Sequence, residues 1–316
     1  MGKPNFRLGI DLGGTKIHAV IIDSKGMVVG HARTATKADK GYAAVLDRIA
    51  DTAREAAISA GLKWRDLTAV GLGVPGPVDM KKGIILMASN LGWEPSPVAN
   101  DLRDRLERPV ALGNDVNFGA LGEATYGCAA DVSSAYMAFV GTGLGGAYVH
   151  KGRVLNGAHG YGGEIGHIPA PFGDALCGCG RTGCLETTAS RSGIVRLLRE
   201  AAAQGRSAKV PSVGPVKSSA LREALEQGCP VVTEAVERCA QALAWGLTTI
   251  AHVIDPQVFV LGGGVAEALG ERLADRVRSL VGGSSVLHTR YPIDVRLAKL
   301  GDDAVAIGAA VTAGEV

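Results

Sequence analysis

The stretch FRLGIDLGGTKIHAVIIDSKGMVVGH, residues 6–31, decides the fold class of this chain. It consists of an apolar run, the glycine turn DLGGT, a second apolar run from Lys16, a short turn and a third apolar run from Met27. Tight turns between apolar runs predict a three-stranded antiparallel meander. Residues 135–153 repeat this order with AYMAFV, the glycine loop GTGLGG, AYVH, a Lys-Gly turn and a last strand from Arg153. The chain is therefore predicted to contain an internal duplication.

Helices and strands alternate after each predicted meander. We predict helices over 42–61, 231–254 and 302–313, and strands over 68–74 and 257–261. This alternation is typical of an α/β protein. Residues 204–230 are polar, which predicts a variable insertion there.

Length and composition limit the class of protein. At roughly 150 residues per domain, 316 residues predict two domains, and 47% hydrophobic residues are enough to form a core throughout. The formal net charge is +2, and the chain has no long basic run, so we expect no nucleic-acid partner. It has neither an apolar stretch of about 20 residues nor a signal-peptide pattern. We therefore expect no membrane association and a cytoplasmic location.

The first glycine loop, residues 11–16, has the composition of a phosphate-binding turn. Gly13 and Gly14 leave backbone N–H groups open to phosphate oxygens, and Thr15 and Lys16 add donors. The Asp11 carboxylate can hold hydrated Mg²⁺. An ordinary glycine-rich hairpin is the alternative interpretation.

The second glycine loop, residues 141–146, formally matches the dinucleotide pattern G-x-G-x-x-G. That pattern indicates a dinucleotide site only where it opens a helix, whereas residues 147–150 are typical of a strand. Two phosphate-type hairpins in a duplicated chain are better explained by the binding of one nucleoside triphosphate.

Soft metal ligands cluster in the middle of the chain. Because disulfides are rare in the cytoplasm, the six cysteines need another explanation. One imidazole and three thiolates lie within 18 residues and form a closed tetrahedral set for a structural Zn²⁺. These ligands are His167, Cys177, Cys179 and Cys184. Three reduced surface thiols are the alternative. Isolated thiols are expected to be small buried hydrophobes, and these are Cys128, Cys229 and Cys239.

Carboxylates next to these ligands predict a sugar pocket. Glu164 lies three residues before His167, and Glu186 lies two residues after Cys184. Carboxylates can accept paired hydrogen bonds from vicinal diols, although solvation is the simpler role for such glutamates. Asn114-Asp115 follows an apolar strand, at the strand end where α/β proteins bind ligands, although such a pair alone is typical of a turn.

Five motifs together resemble the ROK family of sugar kinases, sugar-responsive repressors and uncharacterised reading frames, within the actin-like ATPase superfamily. They are DLGGTK at 11–16, GTGLGGA at 141–147, EIGH at 164–167, CGCGRTGCLE at 177–186 and LGGGV at 261–265. The resemblance implies an α/β fold of duplicated, ribonuclease H-like lobes with an interlobe cleft. It implies an N-terminal lobe of residues 1–115, completed by 300–316, and a larger lobe of residues 116–299.

The resemblance also implies the site residues. Asp115 is expected to act as the catalytic base, and the sugar is expected to contact Gly76, Asn90, Asn114, Asp115, Glu164, His167 and Glu186. ATP with Mg²⁺ is expected at Asp11, Gly13, Gly14, Thr15, Lys16, Gly141, Thr142, Gly143, Gly263 and Gly264. Structural zinc is expected at the three cysteines and His167. Trp93, near Asn90, is interpreted equally well as a core residue or a site residue.

The implied activity is ATP-dependent phosphorylation of a hexose at its 6-hydroxyl, with glucose as the expected substrate. Kinases of N-acetylmannosamine, mannose, fructose or allose remain alternatives in the same class. A repressor is disfavoured because only ten residues precede Asp11, too few for a helix-turn-helix domain. A sugar-binding regulator without catalysis is the other alternative. The resemblance favours a homodimer or homotetramer.

Overall fold

A computed structural model describes residues 6–88, 90–211, 214–283 and 286–314 of the chain. The chain forms two compact units. The first contains Met1–Ala130, Gly152–Gly162 and Asp302–Val316, and the second contains Asp131–Lys151 and Gly163–Gly301. The predicted lobe boundaries, 1–115 with 300–316 and 116–299, stay a prediction.

The first unit is built on a five-stranded sheet. Its strands are β1 (Phe6–Leu12), β2 (Lys16–Ile22), β3 (Val28–Ala35), β4 (Leu67–Val74) and β7 (Val110–Asn114), in the order β3-β2-β1-β4-β7. β1, β2 and β3 pair antiparallel, as the meander prediction requires, whereas β4 pairs parallel with both β1 and β7. The strands β5 (Val78–Asp79) and β6 (Ile84–Ile85) form a separate hairpin, and β10 (Arg153–Val154) is another short strand of this unit.

Among its described residues, the first unit has four α-helices: α1 (Tyr42–Ser59), α2 (Val98–Leu106), α3 (Asp115–Tyr126) and α10 (Ala304–Ala313). α10 is the predicted terminal helix, and it packs closely on β1 and β4. A Cβ atom at Gly9 would lie 1.8 Å from the Ala306 carbonyl oxygen, and one at Gly71 would lie 1.9 Å from that of Ala309. Glycine in the strands and alanine in the helix therefore allow the backbones to approach.

The second unit repeats this architecture. Its strands are β8 (Ser134–Val140), β9 (Leu144–His150), β11 (Val258–Gly262) and β12 (Asp294–Leu297), in the order β9-β8-β11-β12. β8 and β9 are antiparallel, and β11 is parallel to β8 and to β12. The helices are α4 (Arg191–Ala203), α5 (Ser218–Glu226), α6 (Pro230–Ile254), α7 (Gly263–Leu269), α8 (Glu271–Gly282) and α9 (Val286–Arg290). The predicted duplication is thus present as two sheets with related strand order.

One local prediction differs from the structure. β9 begins at Leu144, because Leu144 and Gly146 already pair with Val140 and Ala138, so the glycine turn is limited to residues 141–143. The polar stretch 204–230 contains α5, whose apolar residues are buried on one side. Trp93, which was open to interpretation as a core or a site residue, is 6% exposed and belongs to the core. Its ring centroid lies 4.8 Å from that of Tyr42, in an edge-to-face arrangement.

Among the residues that the structure describes, no helix has both the length and the apolar character needed to cross a bilayer. The 25-residue α6 instead packs one side into the core of the second unit.

Candidate active site

The carboxyl ends of three parallel strands bring polar residues together in the first unit. Asp11 of β1 pairs with Gly73 of β4, and Gly73 pairs with Gly113 of β7. Asn114 is the last residue of β7, and Asp115 begins α3. Ligand sites in parallel α/β sheets form at this edge. The structure therefore places Asp11, Asn114 and Asp115 where the sequence predicted a site.

The Asp115 carboxylate is held in a defined orientation. Its Oδ1 accepts a hydrogen bond from the Val116 backbone N–H at 2.9 Å and one from the Asn114 side-chain amide at 3.0 Å. The Asn114 amide also donates to the Gly76 carbonyl oxygen at 3.2 Å, and its Oδ1 caps α3 by accepting from the Asn117 N–H. Asn114 thus connects Asp115 to the loop after β4.

Asp11 has an environment that favours the neutral acid. Burial, and after it the nearby Asp115 carboxylate, raise its pKa to about 7, although Lys16 and Arg33 act in the opposite direction. A desolvated carboxylate next to another carboxylate gains most from a bound cation. Asp11 therefore fits the predicted role of a Mg²⁺ ligand.

The first glycine turn is tied to the end of β3. The Gly13 N–H donates to the Lys16 carbonyl oxygen, and Thr36 donates from its hydroxyl to the Gly13 carbonyl oxygen at 2.7 Å. A Cβ atom at Gly14 would lie 3.1 Å from the Asn90 side-chain nitrogen, so Asn90 lies beside this turn. Two predicted site residues that are 76 positions apart in sequence are neighbours.

Gly76 makes a sharp turn after β4. Its φ is +90°, and a Cβ atom there would lie 2.3 Å from the Met87 carbonyl oxygen. Only glycine fits both the left-handed backbone and the close neighbour. Gly76 therefore shapes the segment to which Asn114 is bonded.

A charged network beside the first glycine turn was not predicted from the sequence. Lys16 Nζ lies 2.8 Å from Asp302 Oδ2, and Arg33 lies 3.1 Å from the same oxygen. Buried His18 lies 3.3 Å from Asp303 Oδ1, and burial lowers its pKa. The hydrogen bond from Lys16 lowers the pKa of Asp302. The sequence signal for this network was a pair of acidic residues, Asp302 and Asp303, at the start of the predicted terminal helix. Such pairs are common, so this one did not indicate a network.

In the second unit, the glycine turn 141–143 lies against the start of α4. The Arg191 N–H donates to the Gly141 carbonyl oxygen at 2.9 Å, and the Ser192 N–H donates to that of Thr142 at 3.2 Å. The Arg191 guanidinium also donates to the Thr142 hydroxyl. The sequence analysis missed Arg191, which brings a cation to the predicted nucleotide loop.

The two predicted sugar-binding glutamates of the second unit are near each other. Burial raises the pKa of Glu164, His167 lowers it and Glu186 raises it again. Glu186 Oε2 accepts a hydrogen bond of 2.8 Å from the Leu144 N–H at the start of β9. The Tyr136 hydroxyl, on β8, donates to the Gly163 carbonyl oxygen at 2.6 Å and so fixes the residue before Glu164.

The predicted zinc ligands converge. One donor atom each from His167, Cys177, Cys179 and Cys184 lies within 4.8 Å of all the others. The Cys179 and Cys184 sulfurs are 3.6 Å apart, and Cys177 Sγ is 3.8 Å from His167 Nδ1. Ligands bound tetrahedrally at about 2.3 Å are separated by about 3.8 Å. The donor set and its spacing therefore fit a zinc ion held by four protein ligands.

Gly263 and Gly264, which are predicted to bind ATP, begin α7 directly after β11. Gly263 has a φ of +81°, and a Cβ atom there would lie 2.9 Å from the Val140 carbonyl oxygen. Gly263 and Gly264 are therefore near the end of β8, where the glycine turn 141–143 begins.

Each unit thus collects its own predicted site residues. The roles assigned to them remain proposals. In the first unit these are Asp11, Gly13, Gly14, Thr15, Lys16, Gly76, Asn90, Asn114 and Asp115. In the second they are Gly141, Thr142, Gly143, Glu164, His167, Cys177, Cys179, Cys184, Glu186, Gly263 and Gly264.

Two α/β units that repeat an antiparallel meander followed by parallel strands define the actin-like ATPase fold. The chain belongs to the ROK family, whose sequence profile matches residues 7–315.

Relatives within this family differ in function. A glucokinase from Halalkalibacterium halodurans is 32% identical over 95% of this chain and 92% of its own length. A xylose repressor from Caldicellulosiruptor bescii is 28% identical over 95% of this chain and 76% of its own length. The crystal structure of a ROK family glucokinase from Streptomyces griseus, in complex with glucose and AMPPNP, covers 99% of this chain with a TM-score of 0.82 and 30% identity, and is itself covered completely, at 100%.

Proposed function

We propose that this chain is a sugar kinase that transfers the γ-phosphoryl group of Mg·ATP to the 6-hydroxyl of a hexose, with glucose as the preferred substrate. The observation that carries the proposal is the oriented Asp115 carboxylate, beside Asp11 at the carboxyl ends of the parallel strands. A positioned carboxylate is the group that phosphoryl transfer to a hydroxyl requires. Similarity to glucokinases over nearly the whole chain supports the assignment.

Asp115 is the proposed catalytic base. Its carboxylate would accept the proton of the 6-hydroxyl as that oxygen attacks the γ-phosphorus. The two hydrogen bonds to Oδ1 hold the carboxylate in place before the reaction, so less reorganisation is needed at the transition state.

The remaining hydroxyls of the sugar are assigned to Glu164, His167 and Glu186, with Asn90 and Asn114 as further ligands and Gly76 shaping the pocket wall. His167 has Nδ1 in the metal cluster, so Nε2 is the nitrogen that would meet a sugar hydroxyl. A site that hydrogen-bonds each hydroxyl discriminates strongly against sugars that lack one. Glucose presents all ring hydroxyls of its β-pyranose equatorially, which suits such a set.

The nucleotide phosphates are assigned to the backbone N–H groups of the two glycine turns, with Thr15, Lys16 and Thr142 as side-chain donors. Gly263 and Gly264 are assigned to the adenosine. Asp11 would hold Mg²⁺, which supplies positive charge to the phosphates as the γ-phosphoryl group is transferred. Zinc at the cysteine cluster would be structural, because all four positions are taken by protein ligands.

An assay of ADP release can separate a sugar kinase from a sugar-binding regulator that has no catalytic activity. A repressor is among the relatives of this chain, so a protein that binds sugar without phosphorylating it is the alternative. Such a protein would release no ADP from ATP. Assembly as a homodimer or homotetramer, and the absence of a nucleic-acid partner, stay predictions.

A panel of sugars tests the proposal. We expect ADP release with Mg·ATP to give a higher kcat/KM for glucose than for mannose, fructose, allose or N-acetylmannosamine, and the product to be the 6-phosphate. A different best hexose would contradict the glucose assignment and leave the kinase assignment intact. Glucose binding without ADP release for any sugar would contradict the kinase assignment itself.

A further inference from the structure

Three residues of one short segment in the second unit bond to the glycine turn 141–143 or to Leu144, which follows it. This segment, residues 184–192, begins at the last cysteine ligand and is named the bridging segment. Glu186 accepts from the Leu144 N–H at 2.8 Å, and the Arg191 and Ser192 N–H groups donate to the Gly141 and Thr142 carbonyl oxygens at 2.9 and 3.2 Å. The bridging segment therefore bonds to both ends of the turn.

The same segment is anchored in the metal cluster. Cys184 is one of the four converging ligands, and Cys177 Sγ lies 3.6 Å from Glu186 Oε1. One oxygen of the Glu186 carboxylate thus faces a metal ligand, while the other accepts from the Leu144 N–H, directly after the glycine turn. A metal ion that fixes Cys177 and Cys184 would fix the surroundings of Glu186 as well.

Gly143 is shaped to this carboxylate. A Cβ atom at Gly143 would lie 2.2 Å from Glu186 Oε2, whereas a Cβ atom at Gly141 would meet no atom of the described residues within 4 Å. Neither glycine has a positive φ, so alanine is compatible with the backbone at both positions. The need for glycine at 143 therefore comes from Glu186, and the two positions form a matched pair for testing the contact.

We propose that the metal centre, acting through Glu186 and the bridging segment, holds the glycine turn 141–143 in its nucleotide-binding shape. Glu186 is a positioning residue for the nucleotide in addition to its proposed contact with the sugar. This inference rests on the proposed function, which assigns zinc to the cluster and ATP to the turn. Because coupling between two binding sites is reciprocal, zinc strengthens nucleotide binding, and nucleotide strengthens zinc retention by the same factor.

The first test measures AMPPNP binding by calorimetry, without sugar, to zinc-loaded protein and to protein stripped by a chelator. Losing the anchoring of a charged hydrogen-bond acceptor is expected to weaken AMPPNP binding about tenfold. Equal affinity in the two forms, with circular dichroism showing both folded, would overturn the coupling. No AMPPNP binding by the zinc-loaded wild type would overturn the proposed function as well, so the two failures are distinguishable.

The second test needs no nucleotide. Gly143→Ala is expected to displace Glu186, to expose the Leu144 amide to faster hydrogen exchange and to release zinc at about tenfold lower chelator concentration than wild type. Gly141→Ala is expected to retain zinc and Leu144 protection as wild type does. Identical zinc retention in the two variants, or loss of zinc in both to the same extent, would contradict a specific link through Glu186.

Discussion

At the scale of single residues, Asp11 is the most perturbed acid that the proposed site uses. Its pKa is raised to about 7, first by burial and then by Asp115. Below this pH the folded protein carries Asp11 as the neutral acid, which is a poor ligand for Mg²⁺. Above it the carboxylate is ionised and binds the cation, so proton and metal compete for one group.

The affinity for Mg·ATP is therefore predicted to depend on pH through Asp11. Between pH 7 and pH 6 the ionised fraction falls, and the KM for Mg·ATP should be several-fold higher at pH 6 than at pH 8, approaching tenfold for a single competing proton. Asp11→Asn should bind Mg·ATP weakly at both pH values and lose this dependence. Asp47→Asn, at an exposed residue paired with Arg105, serves as the control. A wild-type slope that persists in Asp11→Asn would show that another group titrates.

Sequence patterns pointed to the proposed site residues that lie in short motifs and missed the neighbours that only tertiary structure brings to them. Asp11, Lys16 and Asp115 stand next to glycines or at predicted strand ends, so spacing alone pointed to them. Asp302 reaches Lys16 across 286 positions, and no local pattern indicates such a pair. Arg191 was missed for the same reason, because its partner Thr142 belongs to a distant turn.

At the scale of elements, the segment 164–186 forms a compact structure without a long helix or strand. Isolated bridges pair Pro169 with Cys184 and Leu176 with Thr182, and two short 3₁₀ turns hold the His167 and Glu186 ends. Ile165 and Leu185 anchor the two turns in the core of the second unit, and a metal ion on the four converging ligands would add a cross-link within the segment. Ligand spacing in the sequence predicted this cluster well, because all four ligands are close in sequence.

Replacing one ligand should release the metal. The wild type is predicted to contain one zinc ion per chain, and Cys179→Ser should lose that ion together with at least tenfold of the affinity for glucose, since His167 and Glu186 lose their support. Elemental analysis of protein purified without a metal-binding tag measures the first effect, and calorimetry measures the second. Cys128→Ser, outside the cluster, should behave as wild type. Full zinc content in Cys179→Ser would refute the assignment of this ligand.

Element boundaries show where sequence patterns lose accuracy. The glycines at 145 and 146 indicated a longer loop, yet they belong to β9, because ladder pairing with β8 outweighs the low strand propensity of glycine. The stretch 204–230, predicted to be a variable insertion, contains α5, whose buried residues Leu221, Ala224 and Leu225 have helical spacing.

At the scale of the whole molecule, the two units of the duplication carry different parts of the proposed site. Each unit presents a glycine turn between the first two strands of its meander, at Gly13-Gly14 and at Gly141–Gly143. The units differ in the residues beyond this turn, because the first carries the proposed base and the second carries the proposed sugar glutamates and metal ligands. Repeated strand order was predictable from the repeated sequence pattern, whereas the assignment of the short segment 152–162 to the first unit was not.

The role of Asp115 as the base of a hexose kinase is tested most directly by the turnover of Asp115→Asn with glucose and Mg·ATP. Asparagine preserves the size of the side chain and cannot accept the proton, so kcat should fall at least about 10²-fold, while glucose binding survives in part. Asp47→Asn should keep wild-type turnover. If Asp115→Asn released ADP within tenfold of the wild-type rate, Asp115 would not be the base, and the proposed mechanism would be wrong.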